Sequence, residues 1–315
     1  MLHQFPLVSL RDARKASFAS HVVNGFREQG FLAVHHHGAT RALLDEAEQL
    51  TKDIFTTIPL EILEKEYGRP DIFRQRGVSI FQERAASLDG KSRPPVDMKM
   101  FWMIRDEEQP IDPSDNPHGK NIWPDAYLPQ FRTVMQEILL AYKEVYMTLL
   151  SALEEGVGLP SGKLCAMAKG ADTILRPLFY PSYDRLREMG MRIPQGSQRS
   201  APHEDINVLT VLRPRPGLWA KLQGTWVKAD ATDPDMLWVN IGEMLAQVDG
   251  VTGFVPTLHC VGTPPGEHDP EGDALLAHDR VSLPLFSHFR RSVFLREGLR
   301  VGDWLDDRLR TITHM

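Results

Sequence analysis

Residues 201–212 read APHEDINVLTVL. His203 and Asp205 stand two positions apart where an apolar run begins, and Val208, Leu209, Val211 and Leu212 give that run the texture of a buried strand. Side chains alternate faces along a strand, so His203 and Asp205 are expected on one side and Glu204 on the other. Burying an imidazole and a carboxylate without partners costs several kcal/mol. A metal, a hydrogen-bonded network or water must therefore meet them. The plainest structural alternative is a histidine–aspartate hydrogen bond closing a strand end.

A third group with ligand chemistry, His259 in VPTLHCV, follows 54 positions after Asp205. Two histidines and one carboxylate on one face of an octahedron leave three positions open, the arrangement of non-haem Fe(II) oxygenases. Hydrolytic zinc sites use similar ligands. The segment DRVSLPLF at 279–286 bears on the choice, because alternation places Arg280 and Ser282 on one face of a strand. A guanidinium fork beside a hydroxyl suits a carboxylate bound at two points inside a cavity. That pattern fits a dicarboxylate co-substrate, which a zinc hydrolase does not require. A surface pair of Arg280 with Asp279 or Asp273 is the competing arrangement, and it would contribute little.

The surrounding sequence must position these groups. FASHVVNGFREQG (18–30) has apolar residues at helical spacing and a glycine stop. The strand FLAVHHHG and the helix 40–54 follow. Consecutive histidines 35–37 alternate faces and cannot all serve one ion, so His37 and Gly38 are expected to be structural. GKSRPPVD (90–97) and DEEQPIDPSDNPHGK (106–120) read as loops, candidates for lids or substrate walls. The longest helical pattern, 131–156, precedes a change of texture. ILRPLFYP, INVLTVL, LWAKL, TWVKAD, MLWVNI and RVSLPLFSHF are short, rich in β-branched or aromatic residues and bounded by turn signals. Such strands without intervening helices predict a jelly roll or barrel. VGDWLDDRLRTI forms a last polar helix.

Composition narrows the partners. There are 36 basic against 42 acidic residues and no long basic block, which argues against nucleic acid or an anionic membrane and favours a small-molecule substrate. The first residues lack the apolar core of a signal peptide, and no stretch reaches the length of a membrane span, so a cytoplasmic protein is expected. Cys165 and Cys260 are too few and too isolated for a disulfide framework or a structural zinc site, and both are expected to remain thiols.

In this order, the motifs resemble the isopenicillin N synthase-like branch of the 2-oxoglutarate and Fe(II)-dependent dioxygenases. HED at 203–205, His259 and RVS at 280–282 are similar to its HxD…H…RxS signature. GFLAVHHHG (30–38), GVSIFQERA (77–85), DMKMFW (97–102), NIWP (121–124), LFYP (178–181), VNIGEML (239–245) and TPPGE (263–267) follow the family's sequence of motifs. The resemblance implies Fe(II) on His203, Asp205 and His259. It also implies 2-oxoglutarate held by Arg280 and Ser282 at its far carboxylate and by Tyr180 at its near end, and O2 as oxidant. Two departures bear on the substrate and the surroundings of the metal: Cys260 replaces the family's usual arginine, and Met100 an acidic residue. The implied fold is mixed with a β-rich core, a double-stranded β-helix over residues 172–295. A helical and substrate-wall region (1–160) would support it, and a carboxy-terminal helix (296–315) would close it. The implied reaction is hydroxylation, desaturation or cyclisation of a small metabolite. An oxidase of the same fold that needs no 2-oxoglutarate, or a non-catalytic binding protein, are the alternatives. Segments 77–105 and 182–200 are expected to wall the substrate, and Phe81, Met98, Met100, Phe101, Trp102 and Met103 suggest an apolar or amphipathic small molecule.

Overall fold

A computed structural model describes residues 5–72, 74–84, 96–107, 112–191, 198–229 and 233–313. Residues 90–95 and 108–111 of the two expected loops, and 85–95 and 192–197 of the expected substrate wall, lie outside the described residues.

Two sheets face each other. The larger has ten strands, and its central order is Phe31–His35, Leu237–Ile241, Leu209–Leu212, Leu285–Phe286, Ile174–Leu175 and Met100–Arg105. Leu7–Ser9 extends one end, Leu178–Tyr180 and Arg280–Ser282 extend the other, and Gly77–Ile80 pairs with Met100–Arg105 off this path. Amino-terminal strands thus complete a sheet whose middle comes from the carboxy-terminal half. The smaller sheet orders Thr225–Lys228, Leu218–Leu222, His259–Val261 and Ser200–His203. The result is the jelly roll expected from the strand texture.

Strand periodicity divides the core into two layers. Leu32, Val34, Met100, Trp102, Leu237, Val239 and Val211 pack outward with the helices Phe18–Gln29, Arg41–Thr57 and Pro129–Gly156. Phe31, Ala33, Phe101, Met103, Trp238 and Leu212 point between the sheets. Each strand therefore supplies the helix-facing core with one set of side chains and the cavity side with the other. Gly30 ends its helix in the left-handed region, φ 67°, as the glycine stop predicts. Thr40 caps the next helix by accepting from Leu43 N. His37 is buried and bonds Asp235 O at 3.1 Å, and His36 and Gly38 form a turn at positive φ. His37 and Gly38, expected to be structural, thus lie in the turn that ends the strand.

Two expectations need correction. APHEDINVLTVL is not one strand: Ser200–His203 belongs to the small sheet and Leu209–Leu212 to the large one, so Asp205 sits in the corner between them. The strands are also interrupted by short helices at Tyr183–Glu188, Glu243–Ala246 and Pro270–Leu275, which cap the crossings between sheets. Both cysteines are free. No helix among the described residues is long and apolar enough to cross a membrane.

Candidate metal centre

His203 and His259 face each other directly across two antiparallel strands of the small sheet, with ring centroids 4.4 Å apart. Asp205 reaches them from the corner. Its Oδ1 lies 3.8 Å from His203 Nε2 and 3.7 Å from His259 Nε2. The three donor atoms fall within 4.8 Å of one another. Adjacency thus comes from the bend after His203, not from alternation along one strand. Glu204, expected on the opposite face, lines the same cavity.

Every remaining polar atom of the trio is committed elsewhere. His203 Nδ1 donates to Ala201 O at 2.7 Å and His259 Nδ1 to Thr257 O at 2.9 Å. A carbonyl only accepts, so the proton sits on Nδ1 and the Nε2 lone pair faces the centre. Asp205 Oδ2 accepts from Thr210 Oγ1 at 2.6 Å and Asn240 Nδ2 at 2.8 Å, leaving Oδ1 for the histidines. Thr210 and Asn240 are register partners on neighbouring strands and share the inward face. The corner itself is clamped from behind, because Glu243 N donates to Asp205 O at 2.7 Å and Met244 N to Asn207 O at 3.1 Å. A Cβ on Gly242 would lie 2.1 Å from Asn207 O, so only glycine allows this approach.

The electrostatics agree. Loss of hydration, then the neighbouring His259, lowers the His203 pKa to about 4, so the ring is neutral and able to ligate. Burial pushes Asp205 upward, but His259, His203 and the bonds from Asn240 and Thr210 prevail and hold it below the ordinary carboxylate range. Two imidazoles presenting Nε2 and one ionised carboxylate oxygen, oriented by outer hydrogen bonds, fit a divalent iron ion.

The trio opens into a cavity of about 710 Å³ that also contains Arg280, Ser282 and Tyr180. Arg280 and Ser282 are both buried on one face of the strand Arg280–Ser282, which pairs with Leu178–Tyr180. Arg280 Nε donates to Pro216 O at 2.9 Å, and its guanidinium lies 5.2 Å over the Tyr180 ring. Asp279 turns the other way, accepting from Arg185 and from Ser182 N, while Asp273 accepts from Thr263. The Arg280 side chain therefore points into the protein, not into a surface pair with either aspartate.

Alternation splits the expected substrate wall. Lys99, Phe101 and Met103 line the cavity. Met100 and Trp102 pack in the outer core, where Trp102 Nε1 donates to Ile122 O at 2.9 Å. Sequence reading singled out only the apolar residues of segment 77–105 and passed over its charged Glu83, Asp97 and Lys99, and Arg176 beyond it, all on this wall. Lys99 Nζ contacts Glu83 at 2.8 Å and Asp97 at 2.9 Å, and Arg176 Nη1 contacts Glu83 at 3.0 Å. The signal available was a lysine on the inward phase of an otherwise apolar strand.

Known proteins share this architecture. Residues 5–126 match the family model described as the non-haem dioxygenase in morphine synthesis N-terminal domain. A 2-oxoglutarate-dependent dioxygenase, frbA, of Dothideomycetidae sp. (strain 11243) is 27% identical over 87% of this chain and 85% of its own. The proline hydroxylase buaE of Petromyces alliaceus is 25% identical over 74% of this chain and 70% of its own. Among solved structures, a full-length Neurospora crassa protein in complex with alpha-KG superposes with a TM-score of 0.76 at 20% identity, covering 97% of this chain and 95% of that one. A 2OG-Fe(II) oxygenase family protein from Caulobacter crescentus gives 0.75 at 24% identity, covering 96% and 97%. The chain is thus similar in its amino-terminal part to this dioxygenase family model, and over most of its length to proteins named 2-oxoglutarate-dependent dioxygenases.

Proposed function

We propose that the protein oxidises a small organic molecule in the cytoplasm, with no nucleic-acid partner, by coupling that oxidation to decarboxylation of 2-oxoglutarate. His203, Asp205 and His259 would hold Fe(II). Arg280 and Ser282 would bind the far carboxylate of 2-oxoglutarate, and Tyr180 would line its near end. The observation that carries this reading is one cavity containing both a three-donor cluster and a buried arginine–serine pair. Bound iron supplies O2 activation and a seat for the 2-oxo acid.

The protein's own share is positional. Asn240 and Thr210 fix which Asp205 oxygen faces the centre, and backbone carbonyls fix both imidazoles. Pro216 O and the Tyr180 ring orient the Arg280 fork. Apolar neighbours, including Phe101 and Leu218, exclude water around the substrate. For hydroxylation the balance is substrate, O2 and 2-oxoglutarate in, and hydroxylated substrate, succinate and CO2 out.

The test is stoichiometry. With a turned-over substrate, succinate should equal or exceed oxidised product, and omission of 2-oxoglutarate should stop the reaction. His259→Ala should lose both iron and turnover. Product formed at full rate without 2-oxoglutarate would replace this reading with the oxidase of the same fold.

A further inference from the structure

The substrate side of the cavity carries an ionic cluster that iron and 2-oxoglutarate binding leave unexplained. Glu83, Asp97, Lys99 and Arg176 all line the wall. The cluster is tied to the strand bearing His203: Asp97 Oδ1 accepts from Ala201 N at 3.0 Å, and Lys99 Nζ lies 3.4 Å from Ser200 Oγ. Two carboxylates face two cations, so the cluster adds no net charge to the wall. A charged substrate group placed here would meet a like charge at close range whichever its sign. At this cluster, though not along the whole wall, where Arg84, Asp172 and Arg291 also lie, the fit is to a neutral, polar group.

Its hydrogen-bonding pattern is more specific. Arg176 uses Nε on Met103 Sδ at 3.2 Å and Nη1 on Glu83, and Nη2 meets no acceptor among the described residues. The guanidinium is packed against two aromatic rings, 4.5 Å from the Phe101 centroid and 4.9 Å from that of Phe286, so it is held in place before any ligand arrives. Glu83 receives Arg176 on both oxygens and Lys99 on Oε2, which leaves lone-pair capacity on Oε1. Burial pushes the Glu83 carboxyl up, but Arg176 and Lys99 outweigh it and bring it to about 2, so the group only accepts. A rigid donor therefore stands beside a permanent acceptor.

We propose that Glu83 and Arg176 form the recognition edge for a neutral cyclic amide, Glu83 accepting the ring N–H and Arg176 donating to the adjacent carbonyl. The cis-amide of a lactam or cyclic imide presents its donor and acceptor on one edge, as the pair requires. A ketone or an N-alkylated amide offers only the acceptor. This assignment rests on the oxidation proposed above, since it names the substrate class of the same cavity.

Binding can be read without turnover. Full-length protein loaded with Zn(II) is titrated by ligand-observed NMR with 3,4-dihydro-2(1H)-quinolinone, its N-methyl derivative and 2-tetralone, which keep one bicyclic shape while the N–H becomes N–CH3 or CH2. The series is run with and without 2-oxoglutarate, whose own binding is followed by calorimetry. A hydrogen bond to a charged acceptor implies a preference for the lactam of about 10-fold or more. Glu83→Gln, nearly isosteric, should erase most of that preference while leaving 2-oxoglutarate affinity unchanged. Equal binding of all three ligands, binding of none, or an undiminished lactam preference in Glu83→Gln overturns the proposal. Failure of 2-oxoglutarate alone to bind counts against the oxidation reading, and the lactam series in its absence still decides the amide edge.

Discussion

At the scale of single residues, the ligand types were legible and their supports were not. His203, Asp205, His259, Arg280 and Ser282 stand out because polar and ionisable groups inside apolar segments must be paired or employed. Thr210 and Asn240 do not stand out, since a threonine and an asparagine in LTVL and LWVNI read as ordinary strand residues. Only the pairing of those strands shows both meeting Asp205 Oδ2. Asn240→Ala should therefore weaken Fe(II) binding by roughly 10- to 100-fold although it touches no metal, because Asp205 loses its orientation. Metal titration checks this, and unchanged affinity would make Asn240 a packing residue only. Arg280→Ala should raise the KM for 2-oxoglutarate by roughly 10- to 150-fold, the worth of a charged hydrogen-bonded contact, while iron content holds. Arg280→Lys, which keeps charge but not the fork, should fall between. Initial rates against 2-oxoglutarate concentration decide it, and an unmoved KM would remove Arg280 from co-substrate binding.

At the scale of elements, helix and strand types were readable from periodicity, whereas sheet membership was not. Apolar spacing marked the helices now seen at Phe18–Gln29, Arg41–Thr57 and Pro129–Gly156. The corner at Asp205 escaped detection because strand alternation and a crossing between sheets both bring His203 and Asp205 together, and only the fold distinguishes them. DMKMFWM (97–103) shows the same limit: its apolar residues look alike in sequence, yet the pleat sends Met100 and Trp102 outward and Phe101 and Met103 inward. The two sets should respond oppositely. Trp102→Ala, which empties a fully buried site against Tyr67 and Phe131, should cost about 3–5 kcal/mol in urea unfolding. In protein that remains folded, it should not alter product. Phe101→Ala should instead change substrate KM or product distribution, having removed a cavity wall and one face of the Arg176 packing. Reversal of these two phenotypes would reverse the inside-out assignment of this strand.

At the scale of the whole molecule, one cavity joins elements from both halves of the chain, and the buried charges it requires set the acid limit of the fold. The carboxy-terminal helix places Leu305, Arg308 and Leu309 on the cavity and pairs Arg308 with Glu243, whose backbone N–H clamps the Asp205 corner. Near the same cavity, burial lowers His118, His203 and His288 to about 4 from an ordinary value of 6.5. A buried imidazole held neutral binds fewer protons than the same ring in the unfolded chain. Stability is then complete above pH 6.5 and falls as pH drops from 6.5 towards 4. For His288, which is 9% exposed, the loss at pH 5 is on the order of 2 kcal/mol. Glu83 acts in a lower window: its pKa is depressed from 4.5 to about 2, so its contribution is present above 4.5 and lost below it. Urea midpoints of the metal-free protein should thus decline between pH 7 and 5, before any carboxylate limb begins. His288→Gln, which removes one titrating ring, should flatten that decline by a measurable share. A midpoint constant from pH 7 to 5, or a decline that His288→Gln leaves unaltered, would show that the buried His288 ring does not set this limit.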